Sequence, residues 1–432
     1  MPASTAKSPM RNITLVRGAR QLLTLHGPAG PRRGADLRNL GLIQDGAVLI
    51  VDGKIHEVGP ARRVENLSLA RDAEEIDASG SVVMPGFVDS NTHLVGGPPR
   101  MLDHELRLAG ASEEQIAESG GGPMAQARAI QDLSPRTLEI LGVRALEEAV
   151  RHGTTTLETR SGFGLTEAGE IKLLKVQHAL QHRLLTVVST LFIGRLAPEF
   201  EQRPDDYVAW SSSCLLPFVQ RHKLADFVAI HCEENSFTAG QARTYLSSAR
   251  QLGFRVKMHV GRGAPDALRA AVELDAFSAD HMLDATEEDA LLLAQSDTIA
   301  TLLPGAAFFG GGERYAPARM LIDAGTAVAL ASNFNSETGP SQNMQMILAI
   351  ACRSMKMTPA EAITAATLNA AYAVGLGDQL GSLEAGKSAD LLILRVPDYR
   401  EISYHFGINL MDRVIKRGVM LAERSEVKWP PH

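Results

Sequence analysis

Cysteine is scarce: the chain has three, Cys214, Cys232 and Cys352, odd in number and far apart. This excludes a disulfide framework and a zinc site built on cysteine pairs, leaving buried thiols as the simplest reading. Aromatic residues are few, at 5%, and basic residues form no stripe; with a formal charge of -7 this argues against nucleic acid. Arg32 and Arg33 read as an isolated pair in a solvated loop. No apolar run approaches the ~20 residues needed to span a bilayer, and the opening MPASTAKSPMRN lacks the apolar core of a signal peptide. The expected location is the cytoplasm, with neither membrane nor nucleic acid as partner.

What is present is an ordinary globular composition, 45% hydrophobic and 22% charged over 432 residues. Single cores seldom grow past roughly 250 to 300 residues, so the length suits one large unit plus a smaller one. From Leu40 to Pro60, LGLIQDGAVLIVDGKIHEVGP interleaves apolar runs with Asp-Gly pairs, the pattern of short strands joined by tight turns. LGSLEAGKSADLLILRVP and VIKRGVML near the other end have the same character, so both ends can complete one β unit.

Between them, strand-like runs alternate with helical patterns: TTTLETRSGFG, LLTVVSTLFIG, ADFVAIHCE, RVKMHVG, AFSADHM, TIATLLPG and AVALASNFN. The apolar run VVMPGFV reads as one buried strand ahead of them. Such alternation predicts a parallel sheet closed into a (β/α)8 barrel. In that fold, strand C-termini line the site. Here they carry Asn91 and His93, Arg160, Arg195, His231 and Glu233, His259 and Arg262, His281, and Asn333 and Asn335. Several imidazoles and guanidiniums pointing at one mouth are the direct physical sign of a site.

VMPGFVDSNTH, HELRLAGASEEQI, GGGPMAQARA, HGTTTLETRSGFGL, SADH, LLPGAAFF, MTPAEAITAATLNAAYAVGL and GSLEAGKSADLLIL, in this order, resemble the amidohydrolase superfamily and, within it, the imidazolonepropionases. The resemblance covers nearly the whole chain. It implies a barrel over 85–377, a composite β-sandwich from 1–84 plus 378–432, and a homodimer.

The resemblance also implies a metal centre made by a His-x-His pair after the first barrel strand, a later His and an Asp near the barrel's end. By that matching, Asn91 and His93 stand at the pair, His259 at the later His and Asn333 at the Asp. An amide oxygen is a poor donor to zinc, and Asn333 cannot take a proton from attacking water. The expectation is a dismantled site without a cofactor; the alternative is one weakly held zinc or iron ion. On the substrate side, Arg100 matches a family arginine suited to a carboxylate. Glu113 and Phe163 stand at family tyrosines, Arg195 at a His and Arg262 at a Glu.

These residues support an enzyme doing acid and base chemistry at a C–N or adjacent bond of a small anionic imidazolone-like or cyclic-amide substrate, without metal. In it, His281 carries the proton with His259 and His93 beside it, Arg195 and Arg262 stabilise charge, and Asn333 completes the reacting centre. Arg100, Glu113, Phe163, Asn335 and Asn91 contact substrate. The reaction is ring opening, ring closure or elimination. The alternatives are a metal-dependent hydrolase of a cyclic amide and a non-catalytic protein that binds an anionic metabolite. PGAAFFGGGERY, from Pro304, reads as a flexible loop over the mouth.

Overall fold

The structure is a computed structural model that describes residues 12–424 apart from 182, 184, 235, 265 and 313. The segment read for a signal peptide lies, up to residue 11, outside the described residues. Two eight-stranded sheets organise the molecule.

The first is mixed and contains both ends of the described chain. It opens with β1 (Ile13–Leu23), β2 (Leu42–Val51), β3 (Lys54–Pro60), β4 (Glu74–Asp77) and β5 (Val82–Pro85). Asp52 and Gly53 turn β2 into β3 as expected. Asp45-Gly46 does not turn: β2 runs straight through it, and Gly46 is needed because a Cβ there would lie 2.5 Å from the Leu22 side chain on β1.

The second sheet is the barrel. Its strands are β6 (Phe87–Asp89), β7 (Thr154–Arg160), β8 (Thr186–Ile193), β9 (Phe227–Cys232), β10 (Arg255–Val260), β11 (Ser278–His281), β12 (Ile299–Leu302) and β13 (Val328–Leu330). Every neighbouring pair is parallel, in sequence order. A bridge between Thr92 and Phe334 closes the ring just past the ends of β6 and β13. The three terminal strands β14 (Leu391–Leu394), β15 (Met411–Lys416) and β16 (Val419–Glu423) then return to the first sheet, where β14 pairs antiparallel with β5. This is a (β/α)8 barrel with an added β domain drawn from both termini, as the sequence predicts.

VVMPGFV is two strands, not one. Pro85 lacks the N–H a ladder requires, and Gly86 passes so close to β7 that a Cβ would sit 2.2 Å from the Thr155 hydroxyl. The run therefore breaks there, β5 entering one sheet and β6 the other.

Helices start where short polar side chains can accept from their free N–H groups. Thr166 caps Glu167–Leu180, and Thr238 with Gln241 forms a capping box on Ala239–Gln251. Thr286 with Asp289 and Thr358 with Glu361 do the same for Glu287–Ala294 and Pro359–Ala365. In Pro135–Arg151 the buried positions Leu138, Gly142, Leu146, Ala149 and Val150 repeat at helical spacing, presenting one stripe to the barrel. Pro304–Phe309 is also helical, in place of the expected loop, because Pro304 occupies the first helical position, where its missing N–H costs nothing.

Two smaller readings change. Arg32 is buried, donating to the carbonyls of Pro28 and Leu25, so the Arg32-Arg33 pair is not simply a solvated loop. Cys232 is buried, whereas Cys214 is exposed and Cys352 half-buried. Among the described residues no helix is long and apolar enough to cross a membrane.

Candidate active site

The barrel seam and the site coincide. Past β6 the chain runs extended through Asn91 and His93, and past β13 it meets them through backbone bonds: Asn333 N–H donates to the Asn91 carbonyl at 3.0 Å, and His93 N–H donates to the Phe334 carbonyl at 2.7 Å. Asn333 adopts φ +54, a left-handed conformation that asparagine tolerates better than most residues. Asn335 then ties the following turn, its side chain accepting from Glu337 N–H and Thr338 N–H at 2.8 and 2.7 Å and donating to the Asn333 carbonyl at 2.7 Å. These bonds hold the loop in place.

Four imidazoles line the opening. His93 Nδ1 lies 3.0 Å from the Ser161 carbonyl, and its ring is packed edge-on against Phe163 and Phe192 at 4.7 and 5.5 Å. His231, His259 and His281 form a file, with ring centroids 4.4 Å apart for the first pair and 4.9 Å for the second. His281 Nδ1 sits 3.0 Å from His259 Nε2, and Glu233 lies 3.4 Å from His231 Nε2. His281 is held at φ +82, followed by Met282 at φ +60, a rare backbone for such residues that turns the end of β11 sharply.

These rings are all neutral at pH 7. Burial and then the Arg160 charge push His93 down to about 3. Burial and Arg195 push His231 to about 4; burial, His231 and Arg262 push His281 to about 4, against the opposing pull of Glu233 and Asp280. His259 falls well below its ordinary value through burial and its imidazole neighbours. His281 is therefore a weak base, unprotonated at pH 7.

Below the rings, the barrel holds charge where apolar layers are usual. Arg160 donates through Nε to both Glu158 oxygens at 3.0 Å and through Nη2 to Asp280. Lys257 Nζ lies 3.4 Å from Glu158 and 3.3 Å from the Ser90 carbonyl. Asn91 Nδ2 donates to Asp280 at 3.2 Å. Two cations and two carboxylates, all fully buried, thus neutralise one another under the site. Burial opposes the Arg160 charge, yet Asp280 and Glu158 more than offset it and hold the guanidinium protonated. Glu158, Lys257 and Asp280 were not singled out from the sequence; the only signal was an unusual ionisable residue inside otherwise apolar strands.

The predicted substrate side is partly engaged elsewhere. Arg100 donates to the Gly122 carbonyl and to Asp103 at 2.8 Å, so a ligand carboxylate has to compete with Asp103. Glu113 is exposed and grips Arg107 at 2.9 and 3.1 Å. Arg195 and Arg262 are exposed, each two residues beyond its strand, so the guanidinium buried inside the barrel is Arg160 and not one of these two. Cys232 is a core thiol whose burial pushes it up to about 12.

A resident metal would need ionised or imidazole donors converging on one point. Positions 91, 93, 259 and 333 offer two imidazoles and two amides, and His259 Nε2 is already bonded to His281. Among the described residues no group of three or more His, Cys, Asp or Glu is placed to hold a metal ion. The donor set does not fit a four-ligand centre. Among the described residues, the Asn91 amide oxygen is buried without a hydrogen-bond partner, as are Asp280 Oδ1 and His231 Nε2.

The amidohydrolase family model matches residues 82–420. The chain belongs to the amidohydrolase family. It is an enzyme of the class that acts on non-peptide C–N bonds. It is similar to the imidazolonepropionases of Parabacteroides distasonis, 42% identical over 94% of this chain and 97% of that one, and of Geobacillus kaustophilus, 40% identical over 95% and 98%. Among solved structures it shares its fold with a triazine hydrolase variant, TM-score 0.72 at 17% identity, covering 95% of each chain. It also shares it with an adenosine deaminase from Xanthomonas campestris with bound zinc, TM-score 0.66 at 19% identity, covering 96% and 94%.

Proposed function

We propose that this amidohydrolase hydrolyses the ring C–N bond of a small anionic imidazolone, with a cyclic amide as the wider substrate class. The observation that carries the reading is near-full-length identity of about two residues in five with imidazolonepropionases. That similarity favours ring opening by water over the ring closure or elimination left open by the sequence.

In this reading the file of neutral rings handles protons. His281, bent toward the opening and bonded to His259, accepts the proton as water adds to the carbonyl and returns it to the leaving ring nitrogen. Arg262 and Arg195 at the rim supply permanent positive charge for the developing oxyanion or the substrate's carboxylate. Arg100, Phe163, Glu113, Asn91 and Asn335 shape the ring pocket. The relatives lend no support to metal independence. What supports it is the donor set, two imidazoles and two amides, one imidazole already engaged.

The second reading is a metal-dependent hydrolase of the same bond; the similarity to imidazolonepropionases favours it, and the orphaned Asn91 oxygen, a weak ligand beside His93, adds to it. A single experiment separates them. Purified protein is analysed for zinc and iron, and imidazolonepropionate hydrolysis is followed with and without chelator. Turnover that survives chelation with little bound metal supports the first reading. Stoichiometric metal with chelator-sensitive turnover supports the second, and no ring opening under either condition sinks both. We also place the protein in the cytoplasm as a homodimer; size-exclusion chromatography with light scattering checks the dimer.

A further inference from the structure

Phe192 ends the inward-facing row of β8. Two residues earlier on the same face, the Thr190 hydroxyl donates to Glu158 at 2.6 Å and so belongs to the buried charge layer. Phe192 therefore stands directly above that layer, with the Arg160 guanidinium carbon 5.6 Å from the centre of its ring, within the range of a cation–π contact. Three of the site's imidazoles surround it, with ring centroids 5.5 Å away for His93 and 6.4 Å away for both His231 and His259. Phe192 is 8% exposed, and the exposed part of a ring inside the barrel faces the mouth.

The backbone on either side is cut to fit this ring. A Cβ at Gly162 would lie 2.6 Å from Phe192 Cδ1, and one at Gly194 would lie 2.6 Å from its Cε1. Below the ring a ligand can go no deeper, because Glu158, Arg160, Asp280 and Lys257 are fully buried and joined by ion pairs. A molecule that enters among the imidazoles therefore ends on Phe192. An aromatic surface holds a flat ring by stacked or edge-on contact, and the height of such a floor limits how large that ring can be.

We propose that Phe192 is the floor of the ring pocket and sets its depth, so that the site takes a single flat ring and rejects a fused pair of rings. This deepens the imidazolone reading and rests on it for the acid arm and the bond that is opened, but ring size is testable by binding alone. 3-(Imidazol-4-yl)propionate and 3-(indol-3-yl)propionate carry the same arm on one ring and on two, and neither has a lactam bond to open. At mildly alkaline pH, where the imidazole probe's ring is neutral, titration calorimetry should give the wild type a preference of at least about tenfold for the single ring. Phe192→Ala, which lowers the floor, should tighten the indole probe by about tenfold and weaken the imidazole probe through lost ring contact. Phe192→Leu, a milder change that guards against misfolding, should shift the ratio in the same direction by less. Each variant is judged by the ratio of two affinities, so a loss of folded protein does not imitate the result. Equal binding or a preference for indole in the wild type, a ratio unmoved in both variants, or no binding of either probe at millimolar concentration overturns the floor. Turnover of imidazolonepropionate with an unmoved ratio keeps the hydrolase and removes the floor, whereas a ratio that moves as stated in a protein that opens no imidazolone ring does the reverse.

Discussion

His259 and His281 are joined nitrogen to nitrogen, His281 Nδ1 lying 3.0 Å from His259 Nε2. Since both rings are neutral at pH 7, one must donate the hydrogen and the other accept it, and that choice fixes the tautomer each presents to the opening.

The first prediction concerns that pair. His281→Ala should lower kcat for ring opening by about 10² to 10⁴ while leaving ligand affinity within a few-fold, as expected for loss of a general base. Steady-state kinetics with parallel calorimetry checks it. Unchanged turnover would move the proton transfer elsewhere, and if no assay responds the protein is a binder.

The second concerns acid. His93, His231 and His281 have folded-state values of about 3, about 4 and about 4, below the ordinary imidazole value near 6.5 in the unfolded chain. The unfolded state therefore binds more protons in this window, and stability falls as pH drops from about 6.5 toward 4, by several kcal/mol on the order of one per unit of pH per ring. Urea midpoints measured from pH 8 to pH 5 should decrease, most steeply below pH 6.5. A flat profile would mean that the rings are solvated.

The third concerns the buried charge layer. Asp280→Asn removes one of the two carboxylates that neutralise Arg160 and Lys257, and should cost about 3 to 5 kcal/mol, the usual penalty for stranding a buried ion. Glu113→Gln, which breaks the exposed pair with Arg107, should cost under about 1 kcal/mol. Denaturant melts of the two variants give the comparison directly.

The fourth concerns the amides at the seam. Asn91→His with Asn333→Asp replaces both with strong donors while His93 and His259 stay in place. The double variant should retain about one zinc per chain after dialysis, well above the wild type, by elemental analysis. Equal zinc in both proteins would show that the cradle has lost its geometry.

Periodicity made the barrel legible, because seven strand-like runs alternate with helical patterns, and the helices after β7, β9, β11 and β13 each open on a capping side chain. VVMPGFV escaped that reading because a run of apolar residues does not say which sheet each half enters; a hydroxyl on the neighbouring strand decides it. At the site, strand-end imidazoles were visible as residues out of place, and the structure gathers them. The charge layer was not, since Glu158, Lys257 and Asp280 are separated by up to 122 positions and are made compatible only by folding.

Because β5 is flanked by β1 on one side and β14 on the other, a chain emerging from the ribosome must make some three hundred further residues before that strand finds its second neighbour. Until then Val82–Pro85 presents bare amide and carbonyl groups along an apolar edge, the kind of surface on which chains stick together. A protein cut short before Leu391 should accordingly aggregate even though all eight barrel strands have been synthesised.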